Sequence, residues 1–159
     1  MNVTQLILYH GSDCTIEKPQ WRKCSKYRDF GQCFYTTYTR KMASDWAKLK
    51  SSTNPIVNAY GIDFSEVESC NLRVKRFKAD AEWAKFVYNN RYNKKFKRPN
   101  YDIIIGPLAD KGLKMHFDKI KTENKSFDEI AAEIEYDKYK SIQVCFCSDF
   151  AVRILRKLS

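Results

Sequence analysis

Histidine is scarce in this chain, and so are the spacings that hold metals. Only His10 and His116 occur, and the six cysteines (Cys14, Cys24, Cys33, Cys70, Cys145 and Cys147) form no Cys-x-x-Cys pair. No metal site is therefore expected. No apolar run approaches the roughly 20 residues that span a bilayer, so no membrane role is expected. The N-terminus lacks a basic segment followed by a long apolar stretch. The expectation is a cytoplasmic protein with reduced thiols. Sequons at Asn2 and Asn124 carry no weight without secretion. There is no internal repeat and no low-complexity segment, and 159 residues suit one domain, 1–159, rather than two.

What the chain does hold is apolar and basic material. Hydrophobic residues make up 43% and aromatics 14%, enough to fill a core. Lys and Arg number 29 against 19 Asp and Glu, giving a formal charge of +10. That excess favours phosphate-bearing ligands or partners without choosing among them. Residues 71–98 carry ten basic side chains against Asp80 and Glu82, whereas residues 123–138 reverse the sign. A polarised domain is expected.

The pattern along the chain mixes strands and helices. Leu6–His10 reads as a buried strand presenting His10 at its end, closed by Gly11-Ser12-Asp13. Residues 13–32 read as loop. Cys33–Tyr38 is aromatic and β-branched, hence extended. Thr39 should cap a helix through about Lys50, because Met42, Ala43, Trp46, Ala47 and Leu49 recur at helical spacing. Strands over 56–64 and 72–77 flank an acidic turn at 65–69. Trp83, Phe86, Val87 and Asn90 then define a helix from about Ala79 to Tyr92. Tyr101–Pro107 is a buried strand stopped by Gly-Pro. Ser126 and Glu129 match a capping box opening a helix to about Glu135. Ile142–Phe146 is a half-buried strand, and Ser148 opens a last helix with Phe150, Ala151, Ile154 and Leu155 on one face. Strands and helices in irregular alternation argue for the α+β class.

Two segments carry most of the functional content: Leu8-Tyr9-His10-Gly11-Ser12, and Asp29-Phe30-Gly31 leading into Phe34-Tyr35-Thr36-Thr37. Each sets a hydrogen-bonding residue beside a glycine at the edge of an apolar run, where a flat amide can approach. With Trp46-Ala47, Trp83 to Phe86, Asn90-Arg91, Asp102 to Gly106, Ala109-Asp110 and Gln143-x-x-Phe146, the chain resembles the ADP-ribosyltransferase superfamily. The resemblance is to its poly(ADP-ribose)-polymerase-like and diphtheria-toxin-like branch, and within it to a little-characterised bacterial family of unknown function. It implies an ADP-ribosyltransferase-like fold, two small packed sheets forming an NAD cleft with peripheral helices.

It also implies roles. His10 would bond the nicotinamide-side ribose, and the Gly11 backbone would pair with the carboxamide. Tyr35 would stack on the pyridine ring with Trp46 opposite it, and Gln143 would orient the reacting ribose. Ser12, Gly31, Phe34 and Thr36 complete the expected NAD-binding set, and His10, Tyr35 and Gln143 are the expected catalytic residues. The expected function is transfer of one ADP-ribose from NAD, the co-substrate, to a macromolecular acceptor, protein, DNA or RNA, with release of nicotinamide. A toxin role, with an antitoxin or immunity protein as partner, goes with the resemblance. Arg28, Lys23 or Arg40 could meet the diphosphate.

Two departures bear on chemistry. The late strand usually supplies Glu where this chain has Gln143, and an amide can hold a hydroxyl but cannot neutralise positive charge. Polymer elongation is therefore not expected. Cys33 stands where Gly is commoner, and a left-handed backbone there would cost roughly 1 to 2 kcal/mol. Plainer readings stand alongside. His10 could be an ordinary half-buried histidine, Tyr35 and Trp46 could be core, and Cys145-x-Cys147 could be a redox pair or simply buried. Asp102 and Asp110 could position an acceptor or brace turns. A non-catalytic NAD or ADP-ribose-binding module, or a basic nucleic-acid-binding protein led by residues 71–98, are the alternative functions.

Overall fold

A computed structural model describes residues 5–158. The Asn2 sequon and the leader reading of the first four residues lie outside them. Among the described residues seven strands form one sheet: β1 (Gln5–Ser12), β2 (Phe34–Thr37), β3 (Ile56–Asp63), β4 (Val74–Arg76), β5 (Ile103–Pro107), β6 (Ile142–Phe146) and β7 (Arg156–Lys157). Their order is β4-β5-β6-β2-β1-β3-β7, antiparallel except for β4 beside β5. Six helices accompany it: α1 (Arg40–Lys50), α2 (Phe64–Ser69), α3 (Ala81–Tyr92), α4 (Lys111–Thr122), α5 (Phe127–Glu133) and α6 (Asp149–Arg153). This is an α+β architecture.

The expected pair of separate sheets gives way to a continuous one with a weak seam. β1 and β3 align over eight residue pairs and β2 and β6 over four, but β1 meets β2 only at Tyr9↔Thr37. Apolar material on both faces explains why the sheet stays central. On one face Tyr35, Ile104 and Cys145 pack against Trp83, Phe86 and Val87 of α3, Leu113 and Phe117 of α4, and Ile130 of α5. On the other, Leu8, Phe34, Ile103, Ile105, Val144 and Phe146 pack with Val67 of α2 and Ala151 of α6. The alternation of Ile103, Ile104 and Ile105 between the two cores is the period-2 signature of a strand buried on both sides.

Local capping chemistry sets the helix starts. Thr39 accepts from the Met42 amide, Ser148 accepts from the Ala151 amide, and Ser126 with Glu129 forms the reciprocal capping box. Other expectations are corrected. β1 does not end at His10, because Gly11 and Ser12 continue the ladder opposite Val57 and Ile56. The acidic turn is the short helix α2, capped by Asp63. Residues 111–122, which carried no sequence assignment, form α4, capped by Asp110. Ile154 and Leu155 lie beyond the end of α6.

Candidate functional site

The seam between β1 and β2 is where the sequence motifs meet. Past Tyr9↔Thr37 the strands leave their ladder, and the His10 side chain takes up the contact: its Nδ1 donates to the Tyr35 carbonyl oxygen at 2.6 Å. A carbonyl only accepts, so the proton sits on Nδ1 and Nε2 carries the lone pair. Among the described residues nothing bonds Nε2. The imidazole lies on Phe34, ring centroids 4.2 Å apart and 28° from parallel. Burial holds its pKa down at about 4; the nearby charges of Lys50 and Arg28 push the same way, against the Tyr35 carbonyl. His10 is neutral at pH 7.

Tyr35 does not face His10 with its ring. Its side chain points to the opposite face of the sheet, into the α3 to α5 core, and is buried. The hydroxyl accepts from the Phe30 amide at 3.0 Å and donates to the Gly31 carbonyl at 2.7 Å, and burial raises its pKa well above the ordinary phenol value. The expected stacking surface is thus a brace for the 29–31 loop. Trp46 on α1 is half-buried and pairs with no other ring among the described residues.

The other expected ligand contacts are also built into the scaffold. Ser12 is fully buried, its hydroxyl donating to Asp13. Phe34 lies under His10, and Thr36 donates to the Val144 carbonyl at 2.7 Å. Gly31 sits at φ +83°, a left-handed conformation glycine adopts without strain. Gly11 is glycine for a packing reason: a Cβ would lie 2.0 Å from the Ala43 carbonyl oxygen of α1. Cys33 is not left-handed, so the anticipated strain does not arise. It forms a disulfide with Cys147 across β2 and β6, Cα atoms 4.3 Å apart. This corrects the all-thiol expectation; of the two readings of Cys145-x-Cys147, Cys145 follows the plainer one, buried and free.

Gln143 lies on the Tyr35 side of the sheet in a buried polar cluster. Its Nε2 donates to Asp29 Oδ2 at 3.0 Å and to the Pro107 carbonyl at 3.4 Å. Asp29 also accepts from the Ala109 amide at 3.1 Å and is ion-paired with Arg91. Asn90 donates to the Asp29 carbonyl at 3.3 Å, and Arg98 donates to the Phe30 and Gln32 carbonyls at 2.7 and 3.1 Å. Two members of the basic stretch, Arg91 and Arg98, therefore hold the 29–32 loop instead of facing a polyanion. Sequence reasoning did not assign these roles. The available signal was Asn90, a polar residue on the apolar stripe of α3, which must find partners when buried.

Asp102 accepts from the Arg73 amide, and Asp110 caps α4 and accepts from Tyr139, so both are structural. Two surface grooves, of about 390 and 310 Å³, are lined by residues around Asn58 and Lys157 and around Val67 and Leu72. Neither is lined by His10, Trp46 or Gln143. Among the described residues no three His, Cys, Asp or Glu side chains are grouped to hold a metal ion, and no helix is long and apolar enough to cross a membrane.

A family model described as a protein of unknown function (DUF3990) matches residues 6–157, and the chain belongs to that family. No curated protein and no solved structure matches it.

Proposed function

We propose that this member of the DUF3990 family cleaves the nicotinamide–ribose bond of NAD and transfers the ADP-ribose unit to a macromolecular acceptor. One observation carries the reading: the sheet opens at β1/β2, and a neutral histidine with a bare Nε2 stands in the opening beside the unladdered edge of Gly11. A strand edge offers N–H and C=O groups to a carboxamide, and a lone pair on Nε2 accepts from a ribose hydroxyl. Protonation would remove that lone pair, so burial of His10 serves the binding mode.

Nearby charge and an aromatic face add support to the reading. Trp46, half-buried on α1, supplies an aromatic face for a pyridinium ring. Of the expected diphosphate cations Lys23, Arg28 and Arg40, Arg28 acts electrostatically on His10, as does Lys50 of α1, whereas Arg40 lies over the Tyr9 ring. Tyr35 contributes through its backbone carbonyl and by bracing the loop. In the step itself the C1′–N bond breaks, its electron pair leaves with neutral nicotinamide, and C1′ becomes oxocarbenium-like. The acceptor then bonds C1′ and gives up its proton. Gln143, buried on the sheet face opposite the His10–Phe34 stack, is given no contact with that ribose; an amide where a carboxylate is usual is in keeping with single transfer rather than polymer growth. The finer fold assignment, an ADP-ribosyltransferase-like cleft, belongs to this reading, as does use as a toxin restrained by an antitoxin or immunity protein.

The test is incubation of the protein with adenylate-labelled NAD and a cell lysate. Label should enter protein or nucleic acid with matching nicotinamide release, and His10→Ala should lower the rate by about 100-fold or more. Binding of NAD without release would sink the enzyme and leave a binding module. Nucleic-acid binding that weakens steeply with salt and ignores His10→Ala would favour the basic-surface alternative.

A further inference from the structure

We infer that the outer edge of β4, with the groove beside it, receives an extended acidic segment of a partner protein, which joins the sheet as a further strand. This surface lies beyond β5 and β6 from the β1/β2 seam and does not depend on the NAD reading.

β4 ends the sheet, and among the described residues no strand pairs with its outer side. Its peptide groups divide by alternation. The Arg73 carbonyl accepts from the Asp102 and Ile103 amides at 2.8 and 3.1 Å, and the Phe77 amide donates to the Ile105 carbonyl at 2.8 Å. Arg73, Lys75 and Phe77 thus turn their backbone toward β5, and Val74 and Arg76 turn their N–H and C=O groups outward, where nothing among the described residues pairs with them. Such an edge is a template for main-chain pairing. A groove of about 310 Å³ runs beside it, lined by Phe64 and Val67 of α2, Leu72 and Val74, together with Glu68 and Arg76. An incoming strand therefore gains backbone partners along β4 and an apolar recess for alternate side chains.

Charge selects the occupant. Residues 71–78 hold Arg73, Lys75, Arg76 and Lys78 and no acid. Glu82 of α3 pairs with Lys75 at 2.7 Å and Asp102 lies 3.8 Å from Arg73, but Arg76 and Lys78 are exposed and have no carboxylate partner among the described residues. Two copies joined through β4 would set these bases against themselves, and like charges on facing strands repel. A segment alternating apolar and acidic residues meets no such penalty. Its apolar side chains enter the groove, and its carboxylates lie on the other face of the sheet, where Lys75 covers the Phe77 ring.

The probe is a blocked, fluorescent peptide of about eight alternating Val and Glu residues, titrated with the full chain and followed by anisotropy. Saturable binding is expected, weakened about tenfold or more by Arg76→Glu or by Lys in place of Glu in the peptide. Val74→Pro removes an outward N–H that the protein itself does not use, so the urea midpoint should hold while binding is lost. N-methylation of the peptide needs no variant and decides the matter if Val74→Pro fails to fold. Methyl groups on the Val nitrogens alone, or on the Glu nitrogens alone, should abolish binding in one case and spare it in the other, because only alternate amides face β4. Loss with methylated Val marks an antiparallel strand, and loss with methylated Glu a parallel one.

No saturable binding, equal binding of the Lys peptide, or equal effects of the two methylations would overturn the inference. A dimer in sedimentation that Val74→Pro dissolves would overturn it in favour of a second copy. A single-stranded oligonucleotide that displaces the peptide and binds Val74→Pro as well as the wild type would overturn it in favour of a polyanion surface.

Discussion

A methyl group added at Gly11 would meet the Ala43 carbonyl oxygen at 2.0 Å and the Ala47 nitrogen at 2.7 Å, both backbone atoms of α1. Neither can swing aside, so Gly11→Ala should destabilise the protein by about 1 to 3 kcal/mol in denaturant titration, with any ligand absent. His10 makes a second residue-scale prediction. Its folded pKa of about 4 lies below the unfolded value of 6.5, so the unfolded chain binds the extra proton between these limits. Stability is full above pH 6.5 and declines as pH falls toward 4, by up to about 3 kcal/mol. Replacing His10 with Asn should flatten that part of the stability–pH curve, read by urea midpoints at several pH values. At this scale the sequence made His10 and Gly11 legible as a special pair, but not why Gly11 is needed, because the cause is a helix 32 residues downstream. Tyr35 was misjudged for a related reason. Alternation along β2 sends its phenol to the face opposite the His10–Phe34 stack, and periodicity cannot say which face a ligand would use.

Elements were most legible where the signal is local. Caps at Thr39, Ser126 and Ser148 and the stripe of α3 depend on neighbours three or four residues away. α4 was missed although Leu113, Phe117 and Ile120 recur at helical spacing, since its lysines and Gly112 weaken the apolar pattern. Residues 71–98 were read as a solvated basic surface because nothing local distinguishes Arg91 or Arg98 from Lys94 or Lys97; their partners lie more than 60 residues away. Arg91 in particular closes a cluster spanning α3, the 29–31 loop and β6. Arg91→Ala leaves the Asp29 carboxylate buried with only neutral donors, and thermal or chemical unfolding should register a loss of about 3 kcal/mol. Arg91→Lys should recover only part of it, for lack of the forked guanidinium.

Across the whole molecule, the α+β class followed from composition and alternation, whereas strand order did not. β2 sits between β1 and β6, and no local pattern reports a pairing across 105 residues or more. The Cys33–Cys147 bond reinforces that pairing. It closes a loop of 114 residues, for which the chain-entropy model gives stabilisation on the order of 4 to 5 kcal/mol. Reductant should therefore lower the denaturation midpoint, and thiol titration of the denatured protein should count four groups before reduction and six after. Cys33→Ala with Cys147→Ala should show the lower midpoint with or without reductant.

The one-rung junction in mid-sheet gives the fold an unfinished interior edge. β-sheets recruit extended segments at their outer margins, but here the vacant bonding lies between two strands already bound on their far sides. A guest carrying a donor and an acceptor in line with those strands would complete the missing rungs. Capture of such a molecule and closure of the sheet would then be one event, seen as stiffening of both halves at once.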